Sequence, residues 1–310
     1  VAARTSIVIP ARNEAKRLAA GLARLAPVLE EMDPDLTEVI VVDDGSSDET
    51  LRVAHELYGH LPHALFVKQP THLGKGAAVR LGIALATGSY VIAADADMSI
   101  SPIHFPDIVA ALATSNLVPG SRAVHGHIEY DSRLRTLAGS VFSRVVRHYT
   151  GSLLRDTQCG CKGFQRGPAR ILGLLGTING YAADAEMLFL ANHLGLSVTP
   201  IHVTWDDVAG SKVRVGRDSL AMIRELRMLR HTSYVNPVVE FAPDVDLGAV
   251  AGAARQVRVQ GLVVARGELD ALLVLPRDAS LAGASIADAL NGQLATAGLD
   301  RLRSRSYEAV

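Results

Sequence analysis

Three short apolar runs, each stopped by a cluster of polar side chains, constrain this chain more than anything else in it. Residues 6–10 (SIVIP) run into Ala11-Arg12-Asn13-Glu14. Residues 38–42 (EVIVV) stop at Asp43-Asp44-Gly45, and residues 90–94 (YVIAA) stop at Asp95-Ala96-Asp97. Near-continuous apolar runs of this length suit strands buried on both faces. Helical patterns lie between them. Leu18, Leu22 and Leu25 recur at helical spacing within 14–31. Ser46-x-x-Glu49 has the form of a capping box that opens a second helix. Residues 64–68 read as a strand and 76–86 as a helix, with Gly88 as its stop. This alternation predicts an α/β fold, a mostly parallel sheet covered by helices, with right-handed crossovers. Ligands of such sheets bind beyond the carboxyl ends of the strands. The three polar clusters, distant in sequence, are therefore expected to share one crevice.

The middle of the chain is less regular. Residues 134–149 read as a helix, 156–164 as a loop leading into a strand, 183–193 as a helix and 198–203 as a strand. Residues 218–230 form a basic amphipathic pattern, with Leu220, Ile223, Leu226, Met228 and Leu229 against Arg224, Arg227 and Arg230. Such a helix can lie on an anionic bilayer. Periodicity fits equally a helix packed on the domain with its arginines in water. After Asn236-Pro237 the texture changes: 256–265 and 271–275 read as strands, 280–298 as a helix. The expected organisation is a main domain over 1–235 and a small C-terminal α/β segment over 236–310, within the usual domain sizes.

Composition narrows the function classes. Hydrophobic content of 48% with 20% charged residues describes a globular chain. A net charge of −1 gives no electrostatic case for nucleic acid. Cys159 and Cys161 are the only cysteines. They are too close to bridge without strain and too few for a structural zinc site, which predicts reduced thiols and a cytosolic compartment. No apolar run approaches the roughly 18 residues of a spanning helix. No signal peptide is read ahead of the first strand.

Asp95 and Asp97, one residue apart beyond an apolar strand, can hold a hard divalent cation shared with substrate phosphates. An isolated acid-x-acid is also an ordinary solvated turn. Asp43-Asp44-Gly45-Ser46 reads either as turn chemistry or as carboxylates accepting from a base or ribose hydroxyl. Asn13 and Glu14 can simply cap a helix. Gly74-Lys75-Gly76 precedes a helix and suits an anion, although the spacing is not that of a Walker loop. Asp184 and Glu186 fit plain helix-surface acids equally well.

Taken together and in order, SIVIPARNEAKRL, VIVVDDGSSDET, HLGKGAAVRLGIALATGSYVIAADAD and DTQCGCKGF are similar to the family 2 glycosyltransferases of GT-A fold. DTQCGCKGF with WDDVAGSK (205–212) resembles the dolichyl-phosphate β-glucosyltransferase branch and its bacterial polyprenyl relatives. The resemblance covers about residues 5–230. It implies a Rossmann-like GT-A sheet, a nucleotide-sugar donor, Mg²⁺ or Mn²⁺, and inverting transfer of a hexose to a polyprenyl phosphate. UDP-glucose is the favoured donor. Pro10, Arg12, Glu14, Asp43, Asp44, Lys75 and Asp95 would line the nucleotide, and Asp95 and Asp97 would hold the metal. Asp184 would stand where many members keep a catalytic carboxylate, and Lys212 and Arg214 would approach the phosphates. Gln158 and Lys162 would face sugar and acceptor. Arg122, Arg133 and Arg135 have the guanidinium forks that suit an acceptor phosphate, though each reads equally as a surface arginine. A lipid acceptor implies a cytoplasmic protein in peripheral contact with a membrane. GDP-mannose, a soluble hydroxyl acceptor and a non-catalytic nucleotide-sugar sensor are the alternatives. A sensor is expected to have lost a carboxylate of the Asp-x-Asp pair.

Overall fold

The structure is a computed structural model. It describes residues 4–122, 143–150, 154, 156–206 and 221–227, and the backbone of four further strands at 238–241, 263–265, 271–274 and 303–305. The chain divides into two compact units, Val1–His231 and Thr232–Val310.

The first unit is built on seven strands: β1 (Thr5–Ala11), β2 (Thr37–Asp43), β3 (Ala64–Lys68), β4 (Tyr90–Ala93), β5 (Leu117–Ser121), β6 (Lys162–Gln165) and β7 (Ile201–His202). They lie in the order β3-β2-β1-β4-β6-β5-β7. β1 pairs in parallel with both β2 and β4, and β2 with β3. Only β6 runs against its neighbours. The mostly parallel sheet read from the apolar runs is thus present.

Alternate residues of the central strands serve opposite faces. Ile7, Ile9, Val39 and Val41 join a core with Leu18 and Leu25 of α1 (Leu18–Glu31) and with Ala54 and Tyr58 of α2 (Thr50–Tyr58). Val8 and Val42 meet Gly82 of α3 (Lys75–Leu85) on the other face. Every residue of β1 and β2 is buried, which is why residues 7–10 and 39–42 are apolar without alternation. The remaining helices are α4 (Phe105–Ala111), α5 (residues 143–150), α6 (Arg166–Leu175), α7 (Ala183–His193) and α8 (residues 221–227). No helix among the described residues is long and apolar enough to cross a membrane.

Several local expectations are corrected. α1 begins at Leu18, not residue 14, because 15–17 form a turn closed by Leu18 N donating to Glu14 O at 3.0 Å. The Ser46/Glu49 capping box does not form. α2 starts only at Thr50, and Ser46 Oγ instead donates to Asp43. The strand read over 198–203 is reduced to β7, with Val198 making a single bridge to Leu117. The basic pattern over 218–230 is described as α8 alone. Its Met222 and Leu226 are buried, the packed reading of that helix. Of the helix read over 134–149, only the part within α5 lies among the described residues.

Among its described residues the second unit has four strands, β8 (Val238–Phe241), β9 (Val263–Ala265), β10 (Ala271–Val274) and β11 (Arg303–Arg305), ordered β11-β8-β10-β9. All pairs are antiparallel. The helix read over 280–298 lies outside the described residues.

The close approach of Gly82 to Val8 leaves no room for a side chain. Gly82→Val is expected to lower stability by about 1–3 kcal/mol through overpacking, read as a shifted urea midpoint at unchanged slope.

Candidate functional site

Beyond the carboxyl ends of β1, β2 and β4 the chain makes three turns that are tied to one another. Asp44 N donates to Ala11 O at 2.9 Å. Asn13 N donates to Ser46 Oγ, and Ser47 N donates to Asn13 Oδ1, each at 2.9 Å. Asn13 takes φ 53°, a left-handed conformation that Asn tolerates better than most residues. It braces two strand tips rather than capping α1.

The acids of these turns have different duties. Asp43 is buried: its Oδ1 accepts from Ser46 N at 2.9 Å, and its Oδ2 has no hydrogen-bond donor among the described residues. The buried Gln69 Oε1, at the end of β3, likewise lacks a donor there. Two buried acceptors wanting donors is an arrangement suited to a polar ligand. Asp44 instead anchors the chain before α3, accepting from Leu73 N and His72 Nδ1, both at 2.7 Å. His72 Nε2 lies 2.9 Å from Arg12 Nη1. Pro10 is buried within β1.

Glu14 and Asp97 are joined by Arg17. Its Nε donates to Glu14 Oε2 at 2.6 Å, its Nη2 to Glu14 Oε1 at 2.5 Å and its Nη1 to Asp97 Oδ2 at 2.8 Å. Burial disfavours the Arg17 charge, but Glu14, Asp97 and Asp95 outweigh it and its pKa stands above the usual value. On the other side Lys75 Nζ lies 2.8 Å from Asp95 Oδ1 and 3.2 Å from Asp184 Oδ2. Lys162 Nζ lies 2.7 Å from Asp184 Oδ1 and also donates to Cys159 O. The result is a line of alternating charge, Asp95–Lys75–Asp184–Lys162, drawn from the turn after β4, α3, α7 and β6. Burial alone would raise the Asp184 pKa, but Lys162 and Lys75 hold it at about 2. The same logic keeps Lys75 protonated well above the lysine range, against the effect of burial.

The segment 156–162 closes this side. Gly160 packs so tightly on Asp95 that a Cβ there would collide with Oδ2. Asp156 takes Arg122 in a two-point pair, with Nε and Nη2 each at 2.8 Å, and Arg122 stacks 5.9 Å over Trp205. Burial opposes the Asp156 charge, yet Arg122 lowers its pKa. Arg122 therefore holds the loop through Nε and Nη2. Gln158 Nε2 is buried without an acceptor among the described residues. Both cysteines are free and buried, and burial pushes the Cys159 thiol up to about 11.

Two further expectations change. Glu186 is no surface acid: it is buried and accepts from Thr177 N and Ile178 N at 2.9 Å. Gly76 N at the start of α3 is satisfied by Asn179 O at 2.7 Å, so that amide is closed to an anion. Arg133, Arg135, Lys212 and Arg214 lie outside the described residues. Sequence reading missed Arg17, His72, Asp156 and Gly160, because each acts through a partner distant in the chain, and Gln69, because its burial shows only in the fold.

No group of three or more His, Cys, Asp or Glu side chains gathers around a cation position among the described residues. Asp95 and Asp97 nevertheless fit a hard cation, since Mg²⁺-type ions take one or two carboxylates and complete their shell with substrate phosphates and water.

The mostly parallel sheet, with its charged groups gathered at the strand tips, has the architecture of the GT-A fold, and comparison with known proteins gives the family. The Glycosyl transferase family 2 model matches residues 6–172. The chain is 35% identical over 245 residues to a dolichyl-phosphate beta-glucosyltransferase of Drosophila melanogaster, covering 72% of this chain and 73% of that one. It is 33% identical over 247 residues to the Homo sapiens protein of the same name, covering 73% and 74%. In fold it matches glucosyl-3-phosphoglycerate synthase of M. tuberculosis with a TM-score of 0.56 at 22% identity, over 77% of this chain and 85% of that one. The chain belongs to glycosyl transferase family 2.

Two outcomes follow from the site. Gly160→Ala is expected to push Asp95 from its place and cut transfer at least about tenfold, as misplaced groups do, with little loss of thermal stability. Asp184 contributes stability that is complete above its ordinary pKa and is lost as pH falls from about 4 toward 2. Between those limits wild type is expected to lose about 2 kcal/mol more than Asp184→Asn, as read by denaturation at each pH.

Proposed function

We propose that this protein transfers glucose from UDP-glucose to a dolichyl or other polyprenyl phosphate, in one inverting in-line displacement, with Mg²⁺ or Mn²⁺ held by Asp95 and Asp97. The observation that carries the reading is the pair of carboxylates beyond β4, set between Lys75 and Arg17. The names of the relatives support glucose as the sugar and dolichyl phosphate as the acceptor. Bound at Asp95 and Asp97, the cation would neutralise charge on the departing diphosphate. Lys75 adds a fixed positive charge beside the same place, where preorganised charge is worth most. Asp43 Oδ2 and Gln69 Oε1 are two acceptors that a nucleoside hydroxyl or imide N–H would satisfy. Lys212 and Arg214 are assigned to the donor phosphates by resemblance, and Arg133 and Arg135 to an acceptor phosphate by the chemistry of their guanidinium forks.

Asp184 bears on the choice of acceptor. A hydroxyl acceptor must lose a proton, and an effective general base has a pKa near the working pH. Asp184, held at about 2 between two lysines, is a poor base. A phosphate acceptor is already anionic and needs only positioning. Asp184 therefore serves to fix Lys75 and Lys162, and the site favours a phosphate over a soluble hydroxyl acceptor. Such a lipid acceptor brings the protein to the cytoplasmic face of a bilayer. Met222 and Leu226 of α8 are buried in the protein and do not supply that contact.

A transfer screen tests the whole reading: UDP-glucose and GDP-mannose, each with Mg²⁺, Mn²⁺ or EDTA, with and without a polyprenyl phosphate. Transfer from UDP-glucose that needs both metal and lipid phosphate is the expected result. Asp97→Ala should lower it by at least about 10²-fold, in line with the loss of an electrostatic stabiliser, with the circular dichroism spectrum unchanged. Full activity in EDTA would remove the cation from the mechanism, and preference for GDP-mannose would reassign the donor.

A further inference from the structure

We propose that Arg17 is the positioning residue that sets the Asp97 carboxylate for its cation, through a guanidinium fork that is itself held by Glu14. The inference rests on the metal reading of Asp95 and Asp97.

Arg17 immediately precedes α1 and is a full 80 positions from Asp97. Its three side-chain bonds use Nε, Nη1 and Nη2, so the plane of the guanidinium is fixed by two carboxylates at once. The arrangement is sheltered: the side chains of Arg17, Glu14 and Asp97 are 18%, 10% and 15% exposed. Asp97 is gripped from two sides. Its Oδ2 accepts from Arg17 Nη1 at 2.8 Å and its Oδ1 from Ser99 N at 3.1 Å. A carboxylate has about four lone-pair directions, so these two donors fix its orientation and leave directions for a ligand.

The backbone makes the grip rigid. A Cβ at Gly21 would collide with Ala96 O, so the first turn of α1 lies directly against the Asp95–Asp97 turn. Glu14 is anchored in its turn by Thr50 Oγ1, which accepts from Glu14 N at 2.7 Å. The start of α1 and the turn after β4 thus form one unit, and Arg17 is its side-chain bolt.

Without Arg17, Asp97 keeps, among the described residues, only the Ser99 amide, and its carboxylate can rotate. Partners that orient a metal ligand typically account for 10- to 100-fold in metal affinity or activity. Lysine cannot reproduce the fork, because its ammonium lacks the planar, spaced donors that hold two carboxylates in one fixed geometry. The expected signature is a weakened cation, not merely a weakened fold.

The test uses the full chain as Arg17→Lys and Arg17→Gln, with wild type alongside. Mn²⁺ binding is read by electron paramagnetic resonance of the free ion in the presence of UDP. The Mn²⁺ dependence of transfer is read in parallel. The concentration for half-saturation should rise about 10- to 100-fold in both variants, less in Arg17→Lys, with much of kcat recovered at saturating Mn²⁺. Arg17→Lys retains a cation beside Glu14, so it reports even where Arg17→Gln does not fold. A lowered melting temperature with unchanged Mn²⁺ half-saturation would make Arg17 a structural residue only and overturn the proposal. A wild type that neither binds nor needs Mn²⁺ would overturn the metal reading itself, a distinct outcome.

Discussion

Parallel pairing of β1 with β2 on one side and β4 on the other is the constraint on which the rest of this structure depends. The register sets Ala11 opposite Asp43 and Val8 opposite Ala93. Three chain segments therefore leave the sheet at the same edge, within hydrogen-bonding reach of one another. Each strand is buried on both faces, so a slip in register would carry core residues out of the packing. The position of the acidic turns is thus enforced by apolar burial, which is non-directional, together with a hydrogen-bond ladder, which is directional.

That edge concentrates charge, and the protein balances it internally. Asp95, Lys75, Asp184 and Lys162 alternate in sign along one line, and Glu14, Arg17 and Asp97 form a second group. Removing ions from water is costly unless each finds a partner. Here nearly every ion has one on either side. The arrangement also explains how Lys162 can be 1% exposed: the charge of Asp184 and the carbonyl of Cys159 replace its water. A site built this way is ready for a multiply charged ligand, because the groups that would meet the ligand already stand in place.

Much of this was legible in the sequence. SIVIP, EVIVV and YVIAA announced buried parallel strands, and the clusters that stop them announced the crevice. What could not be read is what those clusters hold on to. Ser46 looked like a helix cap because the spacing to Glu49 was right. In the fold its hydroxyl is drawn to Asp43, a tertiary partner that outcompetes the local one. Glu186 and Asp184 share one helix start and looked alike. One is buried against the amides of 177–178 and the other between two lysines. Arg17 sits in an unremarkable Lys-Arg-Leu stretch, and only the fold shows Asp97 beside it. Periodicity reports which face of an element is covered; it carries no information about a partner many residues away.

The burial of Cys159 and Cys161 has a practical consequence. Both thiols stay protonated at neutral pH and shielded from solvent, so neither offers the thiolate that alkylating reagents attack. The native protein is thus nearly silent toward maleimides. A single cysteine introduced on the exterior would be the preferred attachment point for a fluorophore or spin label, and no background substitution of the natural pair would be needed.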